Sequence, residues 1–174
     1  MRLFIAIPLN ETMRQSVADV QESIRQQHVK GNYTPRENLH ITLAFIGEYP
    51  DPDRIMEAIE GVVFTPFTLT MDKVGSFGSV WWTGFEESNG LQALACKVRR
   101  ALSDAGIPFD KKKFRPHVTV LRKPVYPAGG APGAGLGQIG IGPEEMTVTE
   151  FALMQSVRGR NGMIYTSLGT VHAI

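Results

Sequence analysis

Segments with the two-residue period of strands alternate along the chain with segments of helical period, which predicts a mixed α and β fold. Three observations carry this. The chain opens on a continuous apolar run, RLFIAI. Three later stretches place apolar residues at helical spacing, two of them behind a good capping residue. The chain closes on two strand-like segments around Asn161-Gly162, a dipeptide strongly favoured in hairpin turns.

RLFIAI, residues 2–7, reads as a buried strand. Asn10 caps a helix running to about Gln27, with Val17, Val20 and Ile24 on its apolar face. A strand follows over about 39–46, closed by Gly47. In DPDRIMEAIEGVV, Asp51 is the N-cap and Pro52 takes the first helical position, where its missing N–H does no harm. FTLTMDKVGSFG and VWWTGFEE pair as strands joined through Gly75–Ser79. A third helix spans about 89–105 and ends at Gly106. Another strand covers about 116–122, and EMTVTEFALMQSVR and GMIYTSLGTVHAI form the closing pair. Residues 124–143, rich in Gly, Ala and Pro, show no durable period and read as a mobile surface loop. Their glycines lack the spacing of a phosphate-binding loop.

The 174 residues suit one domain, or two small lobes sharing a core. A hydrophobic share of 43% is ordinary for a globular protein. A formal net charge of +1 argues against a protein that coats nucleic acid without specificity. Cys96 is the sole cysteine and cannot form an internal disulfide, which fits a reducing compartment; within LACKVRRAL it reads as a packing residue. MRLFIAIPLN is too short in its apolar run for a signal peptide, and no stretch approaches a membrane span. A cytoplasmic protein is expected.

The chemistry sits in a repeated pattern. ENLHITLAF places His40 two positions before Thr42, and FRPHVTVLR places His117 two positions before Thr119. Side chains two apart on a strand share a face, so each segment presents an imidazole beside a hydroxyl while its apolar neighbours anchor the other face. Two imidazoles suit paired general acid and base catalysis, because histidine titrates near neutrality. Displacement at phosphorus needs that pair, and hydroxyl donors suit its non-bridging oxygens. Taken singly, each His would be an ordinary strand residue bonded to backbone. A zinc site needs three or four ligands, and His28, His172 and Cys96 lie in unrelated contexts, so no metal and no cofactor is expected.

The doubled pattern, HITL at 40–43 and HVTV at 117–120, resembles the 2H phosphoesterase superfamily, and within it the RNA 2′,3′-cyclic phosphodiesterases, also called 2′-5′ RNA ligases. RLFIAIPL, ENLHITLAFIGE, FRPHVTVLR, FALMQS and YTSL are similar to that family's segments in order, nearly end to end. The resemblance implies an α+β, bilobal fold over residues 1–174: two pseudo-symmetric lobes of mainly antiparallel sheet, helices outside, and the active-site cleft between. It implies His40 as proton donor, His117 as proton acceptor, and Thr42 and Thr119 as phosphate ligands. The implied reaction opens the 2′,3′-cyclic phosphate of an RNA end to a 2′-phosphate without metal, and some members run the reverse ligation. Ser79, before VWW, departs from the Arg that many relatives carry there.

Residues 111–123 hold six of the 18 basic residues and no acid. Lys111 and Lys112 read as a solvated turn. Arg115 and Arg122 bracket the second motif and are substrate-contact candidates, placed to steer in a phosphate end. Phe45, Phe77, Trp81, Trp82 and Tyr33 are candidates for stacking on a base. Adjacent tryptophans in a strand face opposite ways, so one is buried; Trp81, with Phe45, is carried forward as a base contact. RNA ends or small cyclic nucleotides are the expected partners of a monomer. The alternatives are a relative acting on ADP-ribose 1″,2″-cyclic phosphate or 2′,5′-oligoadenylate, and a non-catalytic RNA- or nucleotide-binding module. Intact His and Thr in both motifs argue against the last.

Overall fold

The computed structural model describes residues 1–130 and 135–174. Two antiparallel sheets form the frame. The four-stranded sheet has the order β3 (His40–Glu48), β1 (Arg2–Pro8), β8 (Glu150–Gly159), β9 (Gly162–His172). The five-stranded sheet runs β2 (Lys30–Tyr33), β6 (Val118–Val125), β5 (Val80–Phe85), β4 (Phe67–Phe77), β7 (Glu144–Val148). Each sheet therefore carries one of the two histidine motifs. Helices α1 (Glu11–Arg25), α2 (Pro52–Ile59) and α3 (Asn89–Asp104) pack against them: α1 on β6 and β7, α3 on β3 and β4, α2 on α3 and β9. No described helix is long and apolar enough to cross a membrane.

The core follows from the period-two pattern. Leu3, Ile5 and Ile7 on β1 and Ile41 and Leu43 on β3 are buried on one face, where Met13, Val17 and Ile24 of α1 and Leu94, Val98 and Leu102 of α3 join them. The capping chemistry holds: the Asn10 side chain accepts from the Met13 N–H at 2.8 Å, and Asp51 from the Arg54 N–H at 3.3 Å. Ser88 caps α3 in the same way through the Leu91 N–H at 3.1 Å.

Several local readings need correction. EMTVTEFALMQSVR is two strands, since the chain changes sheet at Thr149: β7 pairs β4, and β8 pairs β1. The alternation slips by one residue there, from Met146 and Val148 to Phe151 and Leu153 across the adjacent polar pair Thr149-Glu150, a phase shift that reading the segment as one strand passes over. Strand β2, KGNY, has no apolar alternation to announce it and pairs with β6 through its backbone. Gly75 is no turn residue. It lies within β4 opposite Trp82, whose indole occupies the space a side chain there would need, and Gly78 makes the turn at φ +48°. Cys96 is exposed on α3 rather than packed.

The stretch 124–143 is only partly loop. Strand β6 continues to Val125, Leu136–Gln138 form a 3-10 turn, and Ile139 is buried. Residues 131–134, at the centre of the predicted mobile loop, lie outside the described residues. The Tyr126 hydroxyl accepts from the Trp81 indole N–H at 2.7 Å.

Candidate active site

A cleft of about 390 Å³ opens between the two sheets, a volume suited to a small ligand. The first sheet contributes His40, Thr42 and Phe45 from β3; the second contributes His117, Thr119 and Arg122. Six residues from two segments 77 positions apart are thus gathered at one place.

Both histidines are set by the same local device. His40 opens β3, and its Nδ1 is 2.7 Å from the carbonyl oxygen of Asn38. His117 precedes β6, and its Nδ1 is 2.7 Å from the carbonyl oxygen of Arg115. A carbonyl can only accept, so Nδ1 carries the hydrogen in each ring and Nε2 is left for proton exchange. Each ring is anchored to the carbonyl two residues before it, in the segment entering the strand.

Beyond that the two surroundings diverge. His40 Nε2 lies 2.9 Å from Thr42 Oγ1, so the neighbouring hydroxyl donates to it while the ring is neutral. The ring packs against Phe4 at 5.0 Å between centroids and meets Tyr165 edge-on at 5.4 Å. This burial pushes the His40 pKa below the usual histidine value; the Asn38 bond opposes the shift, and the positive charges of His117 and Arg122 reinforce it.

Buried polar groups hold the frame. Asn38 donates through Nδ2 to the Met163 carbonyl at 2.9 Å, tying the segment before His40 to β9. On the other side, Gln21 of α1 donates to the carbonyls of Thr34 at 2.9 Å and Val120 at 3.0 Å. The Thr34 hydroxyl donates to the Thr119 carbonyl at 2.8 Å. Gln21 thereby pins the backbone that carries the second motif.

Two predicted contacts fall outside the cleft. Trp81 is fully buried, with its indole N–H spent on Tyr126, and cannot meet a base. Trp82 is the half-buried member of the pair, stacked near Phe77. Arg115 is exposed and is no part of the cleft wall; its backbone carbonyl, rather than its guanidinium, serves the site. In their place the cleft is walled by residues that motif reading did not select: Arg2, Phe4, Ser156, Arg158 and Tyr165 among them. The period-two rule applied to RLFIAI would have put Arg2 and Phe4 on one face, opposite Leu3 and Ile5. Among the described residues, no three His, Cys, Asp or Glu side chains gather as a metal site.

Two antiparallel sheets, each presenting a His-x-Thr strand to a shared cleft, define a class of protein, and comparison agrees. The model of the 2′-5′ RNA ligase superfamily matches residues 13–160, and the chain belongs to that family. It is 35% identical to the RNA 2′,3′-cyclic phosphodiesterase of Archaeoglobus fulgidus over 97% of this chain and 98% of the other. It is 31% identical to the enzyme of the same name from Thermotoga maritima over 97% and 93%. Among solved structures, Escherichia coli LigT in its apo form superposes with a TM-score of 0.80 at 27% identity, covering 99% of this chain and 96% of that one. LigT complexed with 3′-AMP superposes at 0.78 and 28% identity.

Proposed function

We propose that the protein is a cyclic phosphodiesterase that hydrolyses the 2′,3′-cyclic phosphate of an RNA end to a 2′-phosphomonoester. The observation that carries this is the pair of imidazoles in one cleft, each fixed through Nδ1, with Nε2 meeting the Thr42 hydroxyl in His40 and open in His117. Relatives covering nearly the whole chain bear the name RNA 2′,3′-cyclic phosphodiesterase.

The chemistry balances with these groups alone. His117 Nε2 takes a proton from water as its oxygen bonds to phosphorus. The bond to the 3′ oxygen breaks on the opposite side, and His40 Nε2–H protonates that oxygen. Water and the cyclic diester become a 2′-phosphate and a free 3′-hydroxyl. Thr119 and Thr42 donate to the non-bridging oxygens, Thr42 exchanging its bond to His40 for one to phosphate, and Arg122 offsets the developing charge. The donor must be protonated, whereas burial favours its neutral form. The phosphate's negative charge opposes that effect once substrate is bound. A 5′-hydroxyl in place of water would give a 2′,5′ linkage by breaking the same bond. No step is assigned to a metal.

The test is incubation with a nucleoside 2′,3′-cyclic phosphate in excess chelator, with products resolved by phosphorus NMR against authentic 2′- and 3′-monophosphates. The expected product is the 2′-phosphate, at a rate indifferent to chelator. A 3′-phosphate would overturn the regiochemistry. Strong inhibition by chelator, relieved by zinc or manganese, would overturn the two-histidine scheme.

A further inference from the structure

Among the described residues three guanidinium groups line the cleft, and no Asp or Glu does. Arg122, on β6, stands beside the second motif and suffices for the single negative charge of a cyclic phosphate. Arg2 and Arg158 belong to the other sheet and lie farther out. Arg2 shares a face with Phe4, two residues along β1, and Phe4 touches the His40 ring; Arg2 is one alternate position beyond it. Ser156 of β8 lies directly opposite Arg2, and Arg158 is two residues on along the same face.

Diagonal neighbours of this kind are roughly 7–8 Å apart, within reach of long side chains, and like charges so placed repel. Among the described residues no carboxylate relieves that repulsion, and neither arginine has an ion-pair partner. Glu48, across from Arg2, turns its carboxylate to the terminal ammonium of Met1 at 3.1 Å, and Arg2 lies over the Phe45 ring at 5.2 Å. Two uncompensated cations on neighbouring strands, facing a cavity that already holds one cation for its reactive phosphate, are suited to a second anion.

We propose that Arg2 and Arg158 form a second phosphate subsite, which takes the phosphodiester on the 5′ side of the terminal nucleotide. The enzyme then prefers oligonucleotide ends to mononucleotides. The proposal rests on the functional reading above and extends it to substrate class.

The test compares kcat/KM on three substrates: adenosine 2′,3′-cyclic phosphate, the same compound bearing a 5′-phosphate, and a dinucleotide ending in the cyclic phosphate. The wild type is expected to favour the second and third over the first by about 10-fold at low salt, the worth of a charge-assisted contact reduced by solvent. R2Q and R158Q should each drive these ratios toward one, with R2K and R158K retaining part of them. T42A, which acts at the reacting phosphate, should lower all three rates and leave the ratios standing. Each lost phosphate contact should also flatten the slope of log(kcat/KM) against log salt by about 0.7 on the dinucleotide. R158Q, near the tip of the β8–β9 hairpin, gives an independent reading should R2Q fold poorly. Equal wild-type rates on all three substrates, or ratios that survive both Gln substitutions, would overturn the subsite. No turnover of any of the three by the wild type would overturn the functional reading, and the subsite with it.

Discussion

The first motif strand, β3, is the edge of its sheet, whereas the second, β6, is flanked on both sides by β2 and β5. The same His-x-Thr sequence meets different surroundings as a result. His40 is held at both ring nitrogens and wedged between Phe4 and Tyr165. His117 is held at Nδ1 alone, and its Nε2 has no hydrogen-bond partner among the described residues. A repeated motif therefore yields two unlike imidazoles. An acid–base pair needs its two rings unequal, but in the free protein burial favours the neutral form of His40, the ring proposed as donor, so bound phosphate has to reverse that bias. The anchoring carbonyl is the shared part, and the packing around the ring is what separates them.

The comparison breaks most directly at the rings. H40A and H117A should each lower kcat by about 10²–10⁴-fold, and the double variant should lose little more than the worse single one, because the two act as a unit. Their stabilities should differ. H40A removes a ring from an aromatic cluster and H117A does not, so thermal melts should place H40A lower. Either variant retaining kcat within about 10-fold of wild type would remove that histidine from the scheme.

A smaller effect should appear in titration. The folded His40 pKa lies below the ordinary value, so its neutral form contributes stability that is present above about pH 6.5 and lost as pH falls through the folded value. An anion in the cleft should raise that value again. Site-resolved NMR of the imidazole nitrogens should show His40 titrating below 6.5 in the free protein and higher under saturating sulfate, an anion that does not itself titrate there. Thermal protection by sulfate should correspondingly grow as pH falls. A His40 titration unmoved by sulfate would mean that the cleft does not hold anions at that ring.

What the sequence made legible is instructive by residue. His40, Thr42, His117 and Thr119 stood out because identity, spacing and strand period coincided, and the same period yielded most of the core. Gln21 did not stand out, since a polar residue in an amphipathic helix is ordinarily solvated; its burial follows from β2 and β6 passing beneath it. Trp81 and Trp82 could be told apart only by which face β5 turns to the core. Arg2 and Arg158 come from opposite ends of the chain, and only the pairing of β1 with β8 makes them neighbours. The change of sheet at Thr149 does leave a mark in the sequence, a slip of the alternation by one residue across Thr149-Glu150, although which strands each half pairs with is a tertiary fact.

The smallest expected effect concerns how the two unlike strands are kept in register with each other. β3 and β6 lie in separate sheets, and the outward carbonyls of β3, an edge strand, have no strand to accept from. Arg99 of α3 fills that role: its Nε donates to the Leu43 carbonyl at 3.0 Å and its Nη1 to the Lys112 carbonyl at 2.7 Å. The Asp110 N–H donates to the Phe45 carbonyl at 2.8 Å beside it. One guanidinium thus joins the strand bearing His40 to the segment leading into His117, and it lies over the rings of Phe109 and Phe114. R99M keeps the stem and removes both bonds, leaving a part-buried carbonyl unpaired. Stability should fall by about 1–2 kcal/mol, a drop of roughly 2–8 °C in Tm for a chain of this size. If the bridge also sets the distance between donor and acceptor, kcat should fall several-fold while KM for a cyclic mononucleotide stays nearly constant, because phosphate binding does not require both rings aligned. R99K, which restores charge without the fork, should recover little of kcat. A loss of Tm with kcat intact at a temperature well below melting would make Arg99 a purely structural tie and leave the spacing of the two histidines to the sheets themselves.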